Sequence, residues 1–195
     1  MTKFTFKLVL LGDMAVGKTS LVLRYINNTF SEQYISTIGA DFLLKDLELF
    51  GAPIRLMIWD LGGQEQWDHV RGRYMQGSDG CILVFDVNRK FNLEHYIFRW
   101  LDEIRDFIGE NTPLIIVGNK IDLEPQIDLR RAAYFIKNLK YPYVETSAKT
   151  GAHVEAMFKR ITADIVKRKA EFIKKAKEME ETDISEIFNK IRESH

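Results

Sequence analysis

The sequence predicts an α/β domain: a mostly parallel six-stranded sheet with one antiparallel edge strand and helices on both faces. Three observations predict it. Strand-like apolar runs alternate with helix-like stretches of roughly 10–15 residues, as in crossover units. Runs such as "FTFKLVLL" and "GCILVFDV" are apolar along nearly their whole length, which suits strands covered on both faces. Finally, "DFLLKDLELF" and "PIRLMIWD" flank "GA", which reads as a hairpin around Gly51 and places one antiparallel strand at an edge.

Taken in order, Phe4–Leu11 is a buried strand and Lys18–Ile26 a helix. The hairpin follows, then the strand Gly80–Val87 and the amphipathic helix Asn92–Ile108. "PLIIVGNK" is a strand, "DLRRAAYFIKNL" a helix and "YPYVETSA" a short strand. From His153 onward the chain is helical, with Val154, Phe158, Ile161 and Ile165 on one face. That stripe continues through Phe172, Ala176 and Met179. A second amphipathic pattern, Ile184, Ile187, Phe188 and Ile191, then follows Asp183 and Glu186 at capping-box spacing. The expected organisation is a domain over 1–178 and a short helical extension over 179–195. The extension is expected to fold back or self-associate.

Composition excludes several classes. Lys+Arg and Asp+Glu both number 28, so there is no bulk electrostatic reason to expect a nucleic-acid partner. The single cysteine, Cys81, rules out an internal disulfide and reads as a core residue. The N-terminal apolar run is too short for a signal peptide or a membrane span. Thr at position 2 and a C-terminus without cysteine leave no expected lipid anchor, so membrane contact is expected to be peripheral at most and the location cytoplasmic.

"GDMAVGKT" fits G-x-x-x-x-G-K-[ST] between a predicted strand and a predicted helix, the context this phosphate loop requires. Glycines let backbone N–H groups approach phosphate oxygens, and the helix start adds its positive dipole end. Lys18 supplies a point charge for the β- and γ-phosphates, and the Thr19 hydroxyl suits Mg²⁺. A Mg²⁺-holding acid is then expected at a second strand end. "LMIWDLGGQE" offers Asp60, followed by Gly63, whose N–H can reach the γ-phosphate, and Gln64, which can orient an attacking water.

"VGNKIDL" follows "PLIIV" and so sits at a strand's C-terminal end, where open α/β sheets bind ligands. The Asp122 carboxylate can accept from both N1–H and the 2-amino group of guanine, and adenine offers neither. The Lys120 stem can lie over the purine. In "ETSAK" the Ala148 N–H can meet the guanine O6.

The ordered set "GDMAVGKT", "YISTIGADF", "WDLGGQE", "NKID" and "TSAK" resembles the Ras superfamily of small GTPases over roughly residues 4 to 175. Within it, "STIGADF" and the aromatic trio Phe42, Trp59 and Tyr74 resemble the Rab family. The resemblance implies a P-loop NTPase small G domain that binds GTP and GDP with Mg²⁺ and slowly hydrolyses GTP. It implies a nucleotide-contacting set of Asp13, Met14, Ala15, Val16, Gly17, Lys18, Thr19, Ser20, Phe30, Tyr34, Thr37, Gly63, Asn119, Lys120, Asp122, Ser147, Ala148 and Lys149. Thr19, Thr37 and Asp60 would hold Mg²⁺, and Gln64, Lys18, Thr37 and Gly63 would carry the reaction. Phe30 would pack on the guanine and Tyr34 would close over the phosphates. Effectors, exchange factors and GTPase-activating proteins would read the loops 30–41 and 60–74, in a role in membrane trafficking.

The sequence departs from the Rab pattern at "DLGGQ", which resembles Arf proteins, at Met14, where Ras has glycine, and at the missing C-terminal cysteines. No arginine stands just before Thr37 to serve as an internal arginine finger. Two other readings compete. A GTP-binding module without hydrolysis is opposed by Thr37, Gly63 and Gln64. A metabolic P-loop kinase is opposed by the guanine-reading "NKID".

Overall fold

A computed structural model describes residues 4–31, 37, 39–49, 51–63 and 68–170. Its sheet has six strands in the order β2-β3-β1-β4-β5-β6. These are β1 (Phe4–Leu11), β2 (Ala40–Leu49), β3 (Ala52–Leu61), β4 (Gly80–Asp86), β5 (Leu114–Asn119) and β6 (Tyr143–Thr146). Every pair is parallel except β2–β3, where Leu49 faces Ala52 across a turn at Gly51, whose φ of 74° suits glycine. The expected antiparallel edge hairpin is therefore present.

Alternation along each strand divides the core. Leu8, Leu10, Ile82, Val84, Ile115 and Val117 point to one face. There they meet α1 (Lys18–Asn27) and the last described helix, α5 (154–170), through Leu21, Val22, Phe158, Ile161 and Ile165. Val9, Leu11, Leu83, Phe85 and Ile116 point to the other face. That face is covered by α2 (Asp68–Met75), α3 (Leu93–Phe107) and α4 (Leu129–Asn138), with Met75, Ile97, Trp100, Ile104 and Ile136 buried. Two covered faces explain why the strands carry apolar residues at successive positions.

Several boundaries move by a residue for physical reasons. Asn92 and Asp128 belong to the caps: Asn92 accepts from His95 N–H, and Asp128 accepts from the N–H groups of Arg130 and Arg131. Tyr141 and Pro142 lie before β6, whose ladder begins at Tyr143. The helix α2 was not legible in the sequence. "DHVRGRYM" carries no apolar stripe and has a glycine mid-helix. Gly72 is there because α2 lies close to α3: a Cβ on it would overlap the Phe107 ring. The expected stripe beyond residue 170 and the second amphipathic helix over 183–191 lie outside the described residues.

Candidate functional site

The site lies at the C-terminal ends of the parallel strands, where the loops after β1, β3, β5 and β6 converge on the start of α1. It is a cleft of about 800 Å³. The loop after β1 begins at Gly12, with φ of 134°, pressed so close to the end of β4 that a Cβ would overlap the Val84 carbonyl oxygen. It ends at Gly17, φ 99°, where a Cβ would strike the Asn119 amide. Both glycines in the sequence motif are thus required by close backbone approach as well as by dihedral angle. Between them Ala15 also has positive φ, 64°. Gly17 is the N-cap of α1 and no side chain caps that end. The loop and the first turn of α1 thus form a concave start of the kind that binds anions.

Lys18 is buried, and its Nζ donates to the carbonyls of Gly12 at 2.7 Å and Asp13 at 2.9 Å. Burial pulls its pKa down to about 8, against the opposing pull of Asp60 and Asp13. The ammonium is held at the cleft floor by two carbonyls, poised for a larger negative charge.

Beside it three oxygen-bearing side chains from three segments meet. Thr19 Oγ1 donates to Asp60 Oδ2, lies 2.9 Å from Thr37 Oγ1, and Thr37 Oγ1 donates to the same carboxylate oxygen at 3.2 Å. Asp60 is 1% exposed, and its Oδ1 is buried with no hydrogen-bond partner. Burial raises the Asp60 pKa, and the hydrogen bond from Thr19 and the charge of Lys18 oppose it. A buried, unpartnered carboxylate oxygen next to two hydroxyls fits a hard cation such as Mg²⁺, which takes oxygen ligands. Gly63 packs against the loop: a Cβ there would overlap the backbone at Asp13.

At the other end of the cleft, Asn119 is a joint between segments. Its Nδ2 donates to Val16 O at 2.9 Å, and its Oδ1 accepts from Thr146 Oγ1 at 3.1 Å and Ala148 N–H at 3.2 Å. The Ala148 N–H expected to face a base oxygen is thus directed at Asn119 here. Ser147 Oγ donates to Asp122 Oδ1 at 2.5 Å, which orients an otherwise exposed carboxylate. Lys120, with φ of 73°, pairs with Asp86 at 2.7 Å.

Most of the residues expected from the sequence line this one cleft. Met14, Ala15, Gly17, Lys18, Thr19, Ser20, Thr37, Asp60 and Gly63 border the end beside the Gly12–Gly17 loop. Phe30, Asn119, Lys120, Asp122, Ala148 and Lys149 border the rest. Three expected contacts act from behind it instead. The Val16 side chain is in the core, Ser147 is fully buried against Asp122, and the Asp13 carboxylate turns toward α3 and pairs with Arg99. Tyr34 and Gln64 lie outside the described residues.

Two residues escaped the sequence reading. Arg24 on α1 donates from Nε to Ala148 O at 2.8 Å and from Nη2 to Lys149 O at 2.6 Å, fixing the loop after β6. Tyr96 on α3 is buried, yet its hydroxyl touches the phosphate loop. Neither residue lies in a motif, so local spacing gave no signal. The aromatic trio does assemble, with ring centroids 5.4 Å apart for Phe42–Trp59 and 5.8 Å for Trp59–Tyr74.

A sequence model of the Ras family matches residues 7–167, which span the phosphate loop, the Asp60 segment and both base-side loops. The chain belongs to the Ras family. It is also 42% identical to the Ras-related protein Rab-1A of Dictyostelium discoideum over 167 residues, 85% of this chain and 82% of that protein. It is accordingly a Rab-like small GTPase, a GTP-binding hydrolase of the Ras superfamily. Ras-family GTPases bind GTP and GDP, generally with Mg²⁺, and work with regulators and effectors. No described helix is long and apolar enough to cross a membrane.

Proposed function

We propose that this chain is a timed guanine-nucleotide switch, slow on its own and read by effectors through the loops 30–41 and 60–74. The observation that carries the reading is the buried Asp60 carboxylate, with Oδ1 unpartnered and Oδ2 shared by the Thr19 and Thr37 hydroxyls, beside the buried Lys18 ammonium. Thr19, Thr37 and Asp60 would hold Mg²⁺, which supplies positive charge to the phosphate oxygens. Lys18 binds the β- and γ-phosphates, the backbone of the Gly12–Gly17 loop cradles them, and Asp122 selects guanine. Thr37 and Gly63 sense the γ-phosphate, and Gln64 orients the attacking water.

Loss of the γ-phosphate releases Thr37 and Gly63, so the flanking loops change partner preference. Slow turnover is expected because no internal arginine finger precedes Thr37. Ras itself, the reference case for this chemistry, turns over at roughly 10⁻⁴ per second without a partner. The Rab likeness supports a role in membrane trafficking, through peripheral contact.

The test is the nucleotide that accompanies the purified chain. Release by denaturation and chromatography should yield GDP or GTP, and excess ATP should fail to displace labelled GDP. Recovery of adenine nucleotide, or equal competition by ATP, would overturn the reading.

A further inference from the structure

The peptide joining Gly12 to Asp13 is gripped at both ends. Its carbonyl, Gly12 O, accepts from Lys18 Nζ at 2.7 Å. Its N–H, that of Asp13, donates to the Tyr96 hydroxyl oxygen at 3.1 Å. The peptide is trans, so these two groups point in opposite directions and a partner at one end fixes the direction of the other. The Tyr96 hydroxyl is free to accept because its own proton is committed to Val84 O at 2.6 Å. Burial holds the phenol well above its ordinary pKa, so that proton stays in place across the working range.

Tyr96 is itself braced. Its ring meets Phe85 and Phe91 at centroid distances of 6.4 and 5.2 Å. Arg99, one turn along α3, lies 5.7 Å from the Tyr96 ring and pairs with the Asp13 carboxylate. The helix α3, outside the cleft, thus holds Asp13 by backbone and side chain together.

We propose that Tyr96 is a positioning residue for GTP hydrolysis, acting through the Gly12–Asp13 peptide to hold the Lys18 ammonium where the phosphates bind. The proposal rests on Lys18 being the phosphate-binding cation. Without the hydroxyl, the Asp13 N–H loses its acceptor and the peptide can turn, which loosens the Gly12 carbonyl on which Lys18 rests. Lys18 would then lose its aim at the phosphates.

The test compares Tyr96→Phe with wild type, both loaded with GTP and Mg²⁺. Single-turnover hydrolysis should slow roughly tenfold, and GDP release should quicken by a similar factor, the scale of one hydrogen bond to the loop. The ³¹P resonances of the bound β- and γ-phosphates should shift, because the Lys18 ammonium no longer rests on a fixed Gly12 carbonyl. A residue that merely packs would leave those resonances in place. Rates and resonances equal to wild type overturn the proposal, as does a rate loss with unmoved resonances.

A second measurement needs no variant. The Asp13 amide proton of the GDP-bound wild type should exchange slowly with solvent, and exchange as fast as that of an exposed loop overturns the proposal even if Tyr96→Phe fails to fold. Failure of wild type to bind guanine nucleotide would overturn the switch reading instead, and is distinguishable from either result.

Discussion

Arg71 on α2 forks onto Glu103 on α3, Nε to Oε1 at 2.6 Å and Nη2 to Oε2 at 2.8 Å, and its guanidinium lies 4.6 Å from the Trp100 ring. The pair is largely buried, with side chains 8% and 19% exposed. It ties the helix that follows the Asp60 segment to the helix that braces the phosphate loop.

Breaking this pair from one side should be costly. Arg71→Met leaves the Glu103 carboxylate buried without its fork, and a loss of about 3–5 kcal/mol is expected. Glu103→Leu added to Arg71→Met should recover part of it, since no charge is then stranded. Urea unfolding of both variants checks this. A double variant no more stable than Arg71→Met alone would mean the loss comes from packing.

Asn119, expected from the sequence beside the base, joins the phosphate loop to the end of β6 and the loop after it through its amide. Asn119→Ala strands Val16 O and the Ala148 N–H and removes the partner of Thr146 Oγ1. A stability loss on the order of 3 kcal/mol is expected, together with faster GDP release, because the phosphate loop and the loop after β6 lose their common joint. Denaturant midpoints and fluorescent-GDP dissociation measure the two effects. Faster release at unchanged stability would assign Asn119 to direct nucleotide contact.

Nearly all the sheet was legible, because buried parallel strands announce themselves as apolar runs and Gly51 marks the hairpin. The cleft was legible where chemistry forces residue type at fixed spacing, as at Gly12, Gly17, Lys18 and Asp60. What stayed hidden acts across long sequence separations. Tyr96 reaches Asp13 from 83 positions away, and Arg24 reaches Ala148 from 124. Nothing local distinguishes these side chains from ordinary helix residues. The helix α2 was hidden for another reason: its packing on α3 relies on an absent side chain, at Gly72, and no periodic stripe records that.

Lys18 gives a pH dependence with two opposite signs. Its pKa in the fold, about 8, lies below the ordinary 10.5, chiefly through burial. Between those values the unfolded chain binds more protons than the fold, so the Lys18 contribution to nucleotide-free stability rises with pH across that window. Phosphate binding favours the charged amine, so GDP affinity should instead fall as pH rises past about 8. Calorimetry at pH 8.5 in two buffers of different ionisation enthalpy should show proton uptake on binding GDP. Heats independent of the buffer would remove Lys18 from the phosphate site.

In the proposed mechanism Gln64 orients the attacking water and adds nothing to nucleotide affinity. Gln64→Leu should therefore lower single-turnover GTP hydrolysis by about tenfold or more while GTP affinity stays within about twofold, the signature of an interaction made in the transition state. Rates measured on GTP-loaded protein check it, and an unchanged rate would exclude Gln64 from the reaction.

Asp122 offers the sharpest change in specificity. Ser147 Oγ holds its Oδ1, which sets the orientation of the carboxylate beside the cleft. Guanine presents two donors on one edge, N1–H and the 2-amino group, and the carboxylate can accept both. Asp122→Asn keeps one oxygen to accept and replaces the other with an amide N–H₂, which faces the 2-amino donor with nothing to receive. Xanthine carries an oxygen at that position and can accept. Guanine affinity should fall on the order of 10⁴-fold, the discrimination available when a polar partner is stranded, and xanthosine diphosphate should become the better ligand. Competition of GDP and xanthosine diphosphate against one labelled nucleotide measures both arms. If GDP still outcompetes xanthosine diphosphate in the variant, the base is read elsewhere, and Ala148, Lys149 and Phe30 become the residues to vary.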